Sequence, residues 1–356
     1  MRYRVAILGS GVGCRHLAGY QSLGDRFEVT CICDSDAAAA AALASRAGHP
    51  RIVSEIAEAL NANDVDIVDI CLPPALHVPV SLNALEAGKH VICEKPISGS
   101  VAEAERVAEA AAQSGQLFVP VFQYRYGAGL AALFRLKEED LLGRPLAGTL
   151  ETHWDRTADY YANPWRGRWR SELGGAVLGH AVHIHDLATE IVGPVVQVAA
   201  MLDTRVNPIE TDDCAAVCLA AANGALLTSS VTLGSAGNFS RLKIVFEHAT
   251  AESGTSAYEP GQMGWRFTAR SRKNQKAIDR VVAGIGKVES GYEGLFNALG
   301  KCLDGRGPAP STAEDGLRSI ELASAIYQAS RTRQVVALPL DRDLPICRSL
   351  VPAEYS

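Results

Sequence analysis

Short apolar runs alternate with helical stretches throughout the first third of the chain. This alternation is typical of βαβ units, which build a doubly wound parallel sheet with helices on both faces. The predicted strands are Val5–Leu8, Glu28–Cys33, Arg51–Val53, Asp66–Leu72, His90–Cys93 and Leu117–Val121. The predicted helices between them are Asp36–Gly48, Glu55–Asn61, Leu76–Ala87 and Val101–Ser114.

The first predicted strand runs directly into a glycine-rich turn. Glycines at such a turn let backbone N–H groups approach a pyrophosphate at the N-terminus of a helix. The third glycine of the G-x-G-x-x-G pattern is replaced by a cysteine, whose side chain is small enough for close packing of strand and helix. We therefore expect cofactor contacts from Gly9, Gly11, Val12, Gly13 and Cys14.

Asp34 ends the second predicted strand, 34 − 9 = 25 residues after Gly9. An acid at this spacing accepts hydrogen bonds from both hydroxyls of a ribose and repels a 2′-phosphate. The alternative is that Asp34 caps the following helix, although Asp36 could do so instead. The sequence thus favours NAD over NADP as cofactor.

The carboxyl ends of the predicted strands meet at one edge of the sheet, where ligands bind in open parallel sheets. Val91–Cys93 stops abruptly at Glu94 and Lys95. These two residues are either an exposed charged pair or part of a ligand site. His77 is either a residue that starts a helix or a cofactor contact. Further cofactor contacts expected at this edge are Leu72, Pro73, His77, Glu94, Lys95 and Gln123.

The second half of the chain reads as an α+β domain with a large, mostly antiparallel open sheet. Its alternating runs are Leu146–Asp155, Val195–Leu202, Cys214–Ala220, Leu226–Leu233 and Leu242–Phe246, and residues 254–274 are expected to be loop-rich. The 356 residues are more than one core usually holds. We expect domains over residues 1–122 and 123–340, followed by a tail over 341–356. One face of such a sheet often packs on another subunit, which favours a homodimer or homotetramer.

Two polar segments of the second half are candidates for a substrate site. The segment 160–170 is rich in aromatic and arginine side chains, and Tyr160 and Trp169 are expected to line a ligand. In the helix predicted over Val177–Val192, residues His180, His183 and Asp186 lie three apart and would cover one helical arc. They could instead be core histidines or metal ligands, but no third ligand of matched spacing is visible and we predict no metal site.

The stretch Asp66–Ser98, DIVDICLPPALHVPVSLNALEAGKHVICEKPIS, resembles the central signature of the Gfo/Idh/MocA oxidoreductase family. Gly174, Gly175, His183 and Asp186 match a second pattern of that family. The resemblance implies a Rossmann domain that binds NAD, with Lys95 as the catalytic lysine near the nicotinamide. It also marks Gln123–Tyr126, with Arg125, as the entry to the second domain, and it makes Trp165 and Arg166 contacts of cofactor and substrate.

The chain departs from the family at one position. Many members carry an aspartate where this chain has Gly179, and His180 beside it is a candidate to replace that acid. The implied function is NAD-dependent oxidation of a secondary alcohol of a sugar, sugar derivative or cyclitol, with Lys95 as acid–base group and His183 orienting the hydroxyl. One alternative is glycoside cleavage or epimerisation with retained NAD. Another is a sensor that binds a dinucleotide without catalysis.

Charge, hydropathy and cysteine usage argue against a nucleic-acid-binding, membrane or secreted protein. The net charge of −6 and the pI of about 5.9 argue against nucleic acid as the main partner. No apolar run is long enough to span a membrane, and no signal peptide is predicted. The nine cysteines include no C-x-x-C pair, which favours reduced core cysteines and a cytoplasmic protein.

Overall fold

The computed structural model describes residues 2–262 and 264–355, which form two compact units. The first contains the chain up to Val121 together with Leu295–Ile320, and the second contains Phe122–Gly294 and the chain from Glu321 onward. The predicted boundary after residue 122 lies one residue away from the observed one. The segment Leu295–Ile320, expected in the second domain, packs with the first unit instead.

The first unit contains a parallel sheet of six strands, in the order β3-β2-β1-β4-β5-β6. The strands are β1 Tyr3–Leu8, β2 Phe27–Cys33, β3 Arg51–Val53, β4 Ile67–Ile70, β5 His90–Cys93 and β6 Phe118–Pro120. Five helices connect them: α1 Ser10–Ser22, α2 Ala37–Arg46, α3 Ile56–Leu60, α4 His77–Glu86 and α5 Val101–Ser114. The strand order reverses between β1 and β4, and ligands bind at such a switch point.

The second unit contains a sheet of eight strands, in the order β13-β12-β11-β7-β10-β9-β8-β14. Strands β7 and β10 pair in parallel, and the other pairs are antiparallel. The strands are β7 Pro145–Asp155, β8 Val195–Asp203, β9 Cys214–Ala221, β10 Leu226–Thr232, β11 Gly234–Phe246, β12 Ala249–Glu252, β13 Arg266–Ala269 and β14 Val336–Ala337.

The helices that follow α5 are α6 Ala128–Glu138, α7 Ala158–Tyr161, α8 Trp169–Glu172, α9 Val182–Val192, α10 Arg272–Ala283, α11 Gly291–Leu303 and α12 Ala313–Thr332. Of these, α9 packs against one face of the second sheet, whereas most of α11 belongs to the first unit. His185 of α9 contacts Ser229 of β10 through a 2.8 Å hydrogen bond, so Ser229 points to the helical side. Ser230, the next residue, therefore points to the opposite face.

The structure adds detail to two expectations about the second half. Residues 254–274 are loop-rich as expected, but β13 and the start of α10 lie within them. Strand β13 is only four residues long, whereas α10 is amphipathic, with Ile278, Val281 and Val282 at helical spacing. Within the tail expected over 341–356, Ile346, Cys347 and Leu350 are buried.

Among the described residues, we find no helix that combines the length and apolar character needed to cross a membrane.

Candidate functional site

The glycine turn between β1 and α1 has the geometry of a phosphate-binding turn. Gly9 has φ of 99°, and a Cβ there would lie 2.5 Å from the carbonyl oxygen of Cys71. A Cβ on Gly13 would lie 2.8 Å from Ile7, so this glycine permits close packing of helix on strand. A Cβ on Gly11 would meet nothing within 4 Å, which leaves room for a ligand at the N-terminus of α1. Val12 and Cys14 are half-buried in the same turn.

Asp34 lies beside this turn. Its carboxylate accepts hydrogen bonds from the backbone N–H of Ser10 at 2.7 Å and of Asp36 at 3.0 Å. Burial opposes ionisation of this carboxyl, but these hydrogen bonds outweigh it and lower its pKa. Asp36 accepts from the backbone N–H groups of Ala38 and Ala39 and thus caps α2. The helix-cap alternative for Asp34 is therefore wrong, and its contact with a ribose stays a prediction.

The loops after β4 and β5 lie next to each other because the two strands pair. His77 is buried between these loops, with Nδ1 2.7 Å from the carbonyl oxygen of Pro96 and Nε2 2.8 Å from that of Leu72. Burial lowers the pKa of His77 and the two carbonyls oppose that shift. Through these contacts His77 connects the two loops. Its predicted contact with the cofactor stays a prediction, as does that of half-buried Pro73.

Two residues follow β5 at this edge: Glu94 is buried, and Lys95 after it is partly exposed. The backbone N–H of Lys95 donates to Glu94 Oε2 at 3.1 Å. Lys95 lies at the same sheet edge as the glycine turn and Asp34, because all six strands run in parallel. This edge combines an open helix N-terminus, a ribose-spaced acid and a lysine, which fits a dinucleotide and a reacting group beside it.

Sequence reasoning missed a buried polar cluster behind this edge. His16 of α1 contacts Asp69 of β4 at 2.8 Å and Glu94 at 3.1 Å, and Tyr20 and Cys71 also contact Asp69. The available signal was an acid in the middle of the apolar strand Ile67–Ile70.

In the second unit, the predicted histidines lie at the start of a long helical segment. Val177–Ala181 forms a π-helical turn that continues into α9, a feature often found at functional sites. His183 stacks on the ring of Tyr124, with centroids 4.7 Å apart. Asp186 accepts two hydrogen bonds from Arg125, at 2.8 and 2.6 Å. This ion pair occupies the guanidinium of Arg125, whose predicted substrate contact stays a prediction.

Asp212, which the sequence did not mark, holds the start of this helical segment. Its carboxylate accepts from the backbone N–H groups of Gly175 at 3.0 Å and Val177 at 2.9 Å, and from the hydroxyl of Tyr327 at 2.5 Å. A Cβ on Gly175 would lie 1.9 Å from the carbonyl oxygen of Asp212, so only glycine fits there. Gly179 differs, because a Cβ there would meet nothing within 4 Å. The backbone thus leaves room for a side chain where many family members carry an acid.

The arginine-rich segment and His180 form one cluster. The guanidinium of Arg166 lies 4.0 Å from the ring centroid of Tyr160 and 4.1 Å from that of Trp165, and it pairs with Glu172 at 3.1 Å. It also donates to the hydroxyl of Tyr160. That hydroxyl lies 3.1 Å from His180 Nε2. Burial raises the pKa of Tyr160 to about 12, so it stays a neutral donor.

Two other predicted residues have contacts of a different kind. The ring of Trp169 is buried against Tyr327, and its Nε1 donates to the carbonyl oxygen of Glu210 at 3.0 Å. These are contacts of a packing residue and give no support to the predicted substrate contact. Gln123 is buried in the short helical turn after Phe122, in the second unit.

A doubly wound sheet with a glycine turn and a ribose-spaced acid defines a dinucleotide-binding protein. The NAD-binding Rossmann model of the Gfo/Idh/MocA oxidoreductases matches residues 3–122, and their C-terminal alpha/beta model matches residues 138–338. The chain belongs to this family. The predicted family, two-part fold class and NAD-binding first domain are confirmed.

Several relatives are named dehydrogenases. A levoglucosan dehydrogenase of Pseudarthrobacter phenanthrenivorans is 30% identical over 177 residues, 49% of this chain and 45% of the relative. A D-apiose dehydrogenase of Paraburkholderia graminis is 23% identical over 359 residues, 98% of this chain and 93% of the relative. Across the first curated relatives, the matched part spans 58%, 45% and 62% of their length.

A solved relative matches over almost the whole chain. The WlbA dehydrogenase from Bordetella pertussis was crystallised with NADH and UDP-GlcNAcA. It has a TM-score of 0.84 and 27% identity, with 96% of this chain and 99% of that chain covered. Levoglucosan dehydrogenase in complex with NADH, at 22% identity and a TM-score of 0.82, shares the fold.

Proposed function

We propose that the protein is an NAD-dependent dehydrogenase acting on a secondary alcohol of a sugar, sugar derivative or cyclitol. The observation that carries this proposal is the placement of Lys95 at the end of β5, on the sheet edge that also holds the glycine turn and Asp34. The relatives named levoglucosan dehydrogenase, D-glucoside 3-dehydrogenase and inositol 2-dehydrogenase support the substrate class.

The first unit would supply cofactor binding and the acid–base group. The amides at the start of α1 would hold the pyrophosphate, and Asp34 would accept hydrogen bonds from the ribose hydroxyls. Bound NAD would accept the hydride from the substrate carbon. The amine of Lys95 would take the proton of the reacting hydroxyl, so that the C–OH group becomes a ketone. The remaining cofactor contacts proposed are Leu72, Pro73, His77, Glu94, Gln123, Trp165 and Arg166.

The second unit would bind the sugar. We propose that His183 orients the reacting hydroxyl, since its position matches the histidine of the family pattern. The cluster of His180, Tyr160 and Arg166 offers a neutral phenol whose hydroxyl contacts both an imidazole and a cation. Such groups suit a polyhydroxylated ligand, because its hydroxyls both donate and accept hydrogen bonds. Arg125 and Trp169 complete the proposed substrate set.

The test is a screen of sugars, sugar acids, anhydrosugars and cyclitols with NAD, following the absorbance of NADH. The proposal expects NADH to form with at least one of them, and expects Lys95→Ala to abolish the signal. Conversion of a substrate without release of NADH would instead establish redox-neutral chemistry on retained NAD. Dinucleotide binding without turnover of any compound would favour a sensor and contradict the proposal.

We also propose a homodimer or homotetramer and a cytoplasmic location. The face of the second sheet that points away from α9 supports the first. The cysteine pattern supports the second, since the nine cysteines include no C-x-x-C pair and most lie in apolar runs, as expected of reduced core cysteines.

A further inference from the structure

The buried cluster of the first unit contains three ionisable side chains in contact: His16, Asp69 and Glu94. His16 and Asp69 have no exposed side-chain surface, and Glu94 is buried with them. Nδ1 of His16 lies 2.8 Å from Asp69 Oδ2, and Nε2 lies 3.1 Å from Glu94 Oε1. One imidazole therefore lies between two carboxyl groups, in a place where an unpaired charge is very costly.

Hydrogen-bond chemistry sets the state of this ring. A neutral imidazole carries one N–H and would present a lone pair to one of the two carboxylates, whereas an imidazolium donates to both. Burial by itself lowers the pKa of His16. The negative charge of Asp69 raises this pKa, and the net pKa is well above the ordinary value of histidine. The outcome is a buried arrangement of two negative groups around one positive group.

Two further polar groups of this cluster are neutral. Tyr20 donates its hydroxyl to Asp69 at 3.0 Å, and Cys71 Sγ lies 3.4 Å from His16 Nδ1. Burial raises the pKa of both the Tyr20 phenol and the Cys71 thiol, so neither adds a negative charge. The ring of Phe296 packs edge-on against His16 and stacks on Tyr20.

The cluster connects three parts of the proposed cofactor site. His16 belongs to α1, the helix that begins at the glycine turn, and Asp69 belongs to β4. Glu94 Oε1 contacts His16, and Glu94 Oε2 accepts the backbone N–H of Lys95. The direction in which the chain leaves β5 at Lys95 therefore depends on how the Glu94 carboxylate is held.

We propose that His16 is a positioning residue: as an imidazolium between Asp69 and Glu94, it fixes Lys95 relative to the glycine turn. This inference rests on the proposed dehydrogenase function. His16 would touch neither substrate nor cofactor, and its effect would pass through Glu94. Loss of its charge would displace the amine of Lys95 and leave the helix N-terminus and Asp34 able to bind the dinucleotide.

The kinetic test compares His16→Gln with His185→Gln, the same substitution at a buried histidine of the second unit. His16→Gln should lower kcat roughly 10- to 100-fold, the cost of a small misplacement of a reacting group. The Kd for NADH should change less than about threefold. Combining His16→Gln with Lys95→Ala should give no loss beyond that of Lys95→Ala, because both act on one step. An equal loss in kcat from His185→Gln, or full additivity with Lys95→Ala, would overturn the proposal.

Variants of Glu94 test the proposal even if His16→Gln does not fold. Glu94→Gln keeps the shape of the side chain and one acceptor oxygen, which can still accept the backbone N–H of Lys95, so it should fold and retain more activity than Glu94→Ala. The proposal expects this order, and equal activity of the two variants would contradict it.

The charge of the ring can be measured without a substrate. Nitrogen-15 NMR of histidine-labelled wild-type protein at neutral pH should show one imidazolium that is absent from the His16→Gln spectrum. A neutral tautomer at His16 would reject the inference while leaving the proposed dehydrogenase untouched. Stoichiometric zinc or iron in the purified protein would also reject it, because His16, Asp69 and Cys71 have ligand atoms within 4.8 Å of one another.

Discussion

Among single residues, we propose that Asp34 determines which dinucleotide the first unit favours. Its carboxylate is held by the backbone N–H groups of Ser10 and Asp36, so it cannot turn away from a ligand without breaking these bonds. A 2′-phosphate placed there would meet a fixed negative charge with no arginine at the neighbouring position Ser35. The same side chain would accept hydrogen bonds from the hydroxyls of an unphosphorylated ribose.

We expect kcat/KM to be higher with NAD than with NADP. Asp34→Ala should lower the ratio of kcat/KM with NAD to kcat/KM with NADP by about tenfold or more. Removal of one close Coulomb repulsion of roughly 1–4 kcal/mol accounts for this change. Asp36→Ala is the matched control, since it removes an acid two residues away that caps α2. It should lower stability by about 1 kcal/mol and leave the cofactor ratio unchanged. Equal turnover with both cofactors in the wild type would contradict the assignment of Asp34.

His185 provides a prediction about stability and pH. Burial lowers its pKa to about 4, whereas an unfolded histidine titrates near 6.5. Between these values the unfolded chain binds a proton that the folded chain does not, so this group makes stability rise with pH across that window. The difference has an upper limit of about 3 kcal/mol.

His185→Gln should flatten this part of the stability profile, measured by urea unfolding between about pH 4 and pH 7. His248→Gln, at an exposed position, is the control and should leave the slope as in the wild type. An unchanged slope in His185→Gln would show that the ring is protonated in the folded state.

At the scale of elements, the helical segment that carries His180 and His183 depends on a contact distant in sequence. The hydroxyl of Tyr327 donates to Asp212, which in turn holds the amides of Gly175 and Val177. Tyr327→Phe would remove a donor from a fully buried carboxylate. Since burial already raises the pKa of Asp212, the loss of this donor should raise it further.

We expect Tyr327→Phe to lower the free energy of unfolding by about 1–3 kcal/mol, the usual cost of a buried hydrogen bond to a charged group. Tyr3→Phe is the matched control, because its hydroxyl also donates to an aspartate, Asp304, but at 3.4 Å on the surface. That change should cost well under 1 kcal/mol in denaturant unfolding. Similar losses in both variants would contradict the role given to Tyr327.

The elements of the first unit could be predicted from the sequence because each carries a local signal. Buried parallel strands are continuous apolar runs, and turns such as Gly9–Cys14 mark their ends. In the second half, β13 has only four residues, too few to show a period, whereas α10 does carry a helical pattern of apolar residues that sequence reasoning missed. The partners of site residues, such as Asp69 with His16 or Asp212 with Tyr327, were not predictable either, since they meet only through the fold.

At the scale of the whole molecule, one sheet face is open to a partner. Pairing aligns Met201 of β8 with Ala216 of β9, and Ala216 with Ser230 of β10. Ser230 points away from α9, so this row lies on the face opposite the helices. Met201 is 75% exposed there. A second copy covering this face would remove an apolar side chain from water.

We expect light scattering at micromolar concentration to give the mass of a dimer or tetramer. Met201→Glu should weaken the assembly by about tenfold or more, since a charge would replace an apolar contact. Ile52→Glu is the control: it changes an exposed apolar residue of β3, in the first unit, and should leave the mass unchanged. A monomeric mass for the wild type would reject this use of the face.

In the proposed dehydrogenase reaction, Lys95 carries the proton. With a confirmed substrate, Lys95→Ala should lower turnover roughly 10²- to 10⁴-fold, the usual contribution of a positioned acid–base group. His183→Ala should also lower turnover, and the double variant should lose less than the product of the two losses if both serve one relay. Coordinates of a complex with NAD should place both side chains on one cleft wall that faces the nicotinamide.

The most direct measurement is single-turnover reduction of NAD by wild type, Lys95→Ala and Lys89→Ala. Lys89 is a lysine of the same unit that donates to the carbonyl oxygens of Ala62 and Val65, so its loss should lower stability but not the chemical step. We expect the rate of NAD reduction to fall at least about 10²-fold in Lys95→Ala, with NADH affinity retained. The same rate should stay near the wild-type value in Lys89→Ala. A Lys95→Ala enzyme that reduces NAD at the wild-type rate would contradict this expectation.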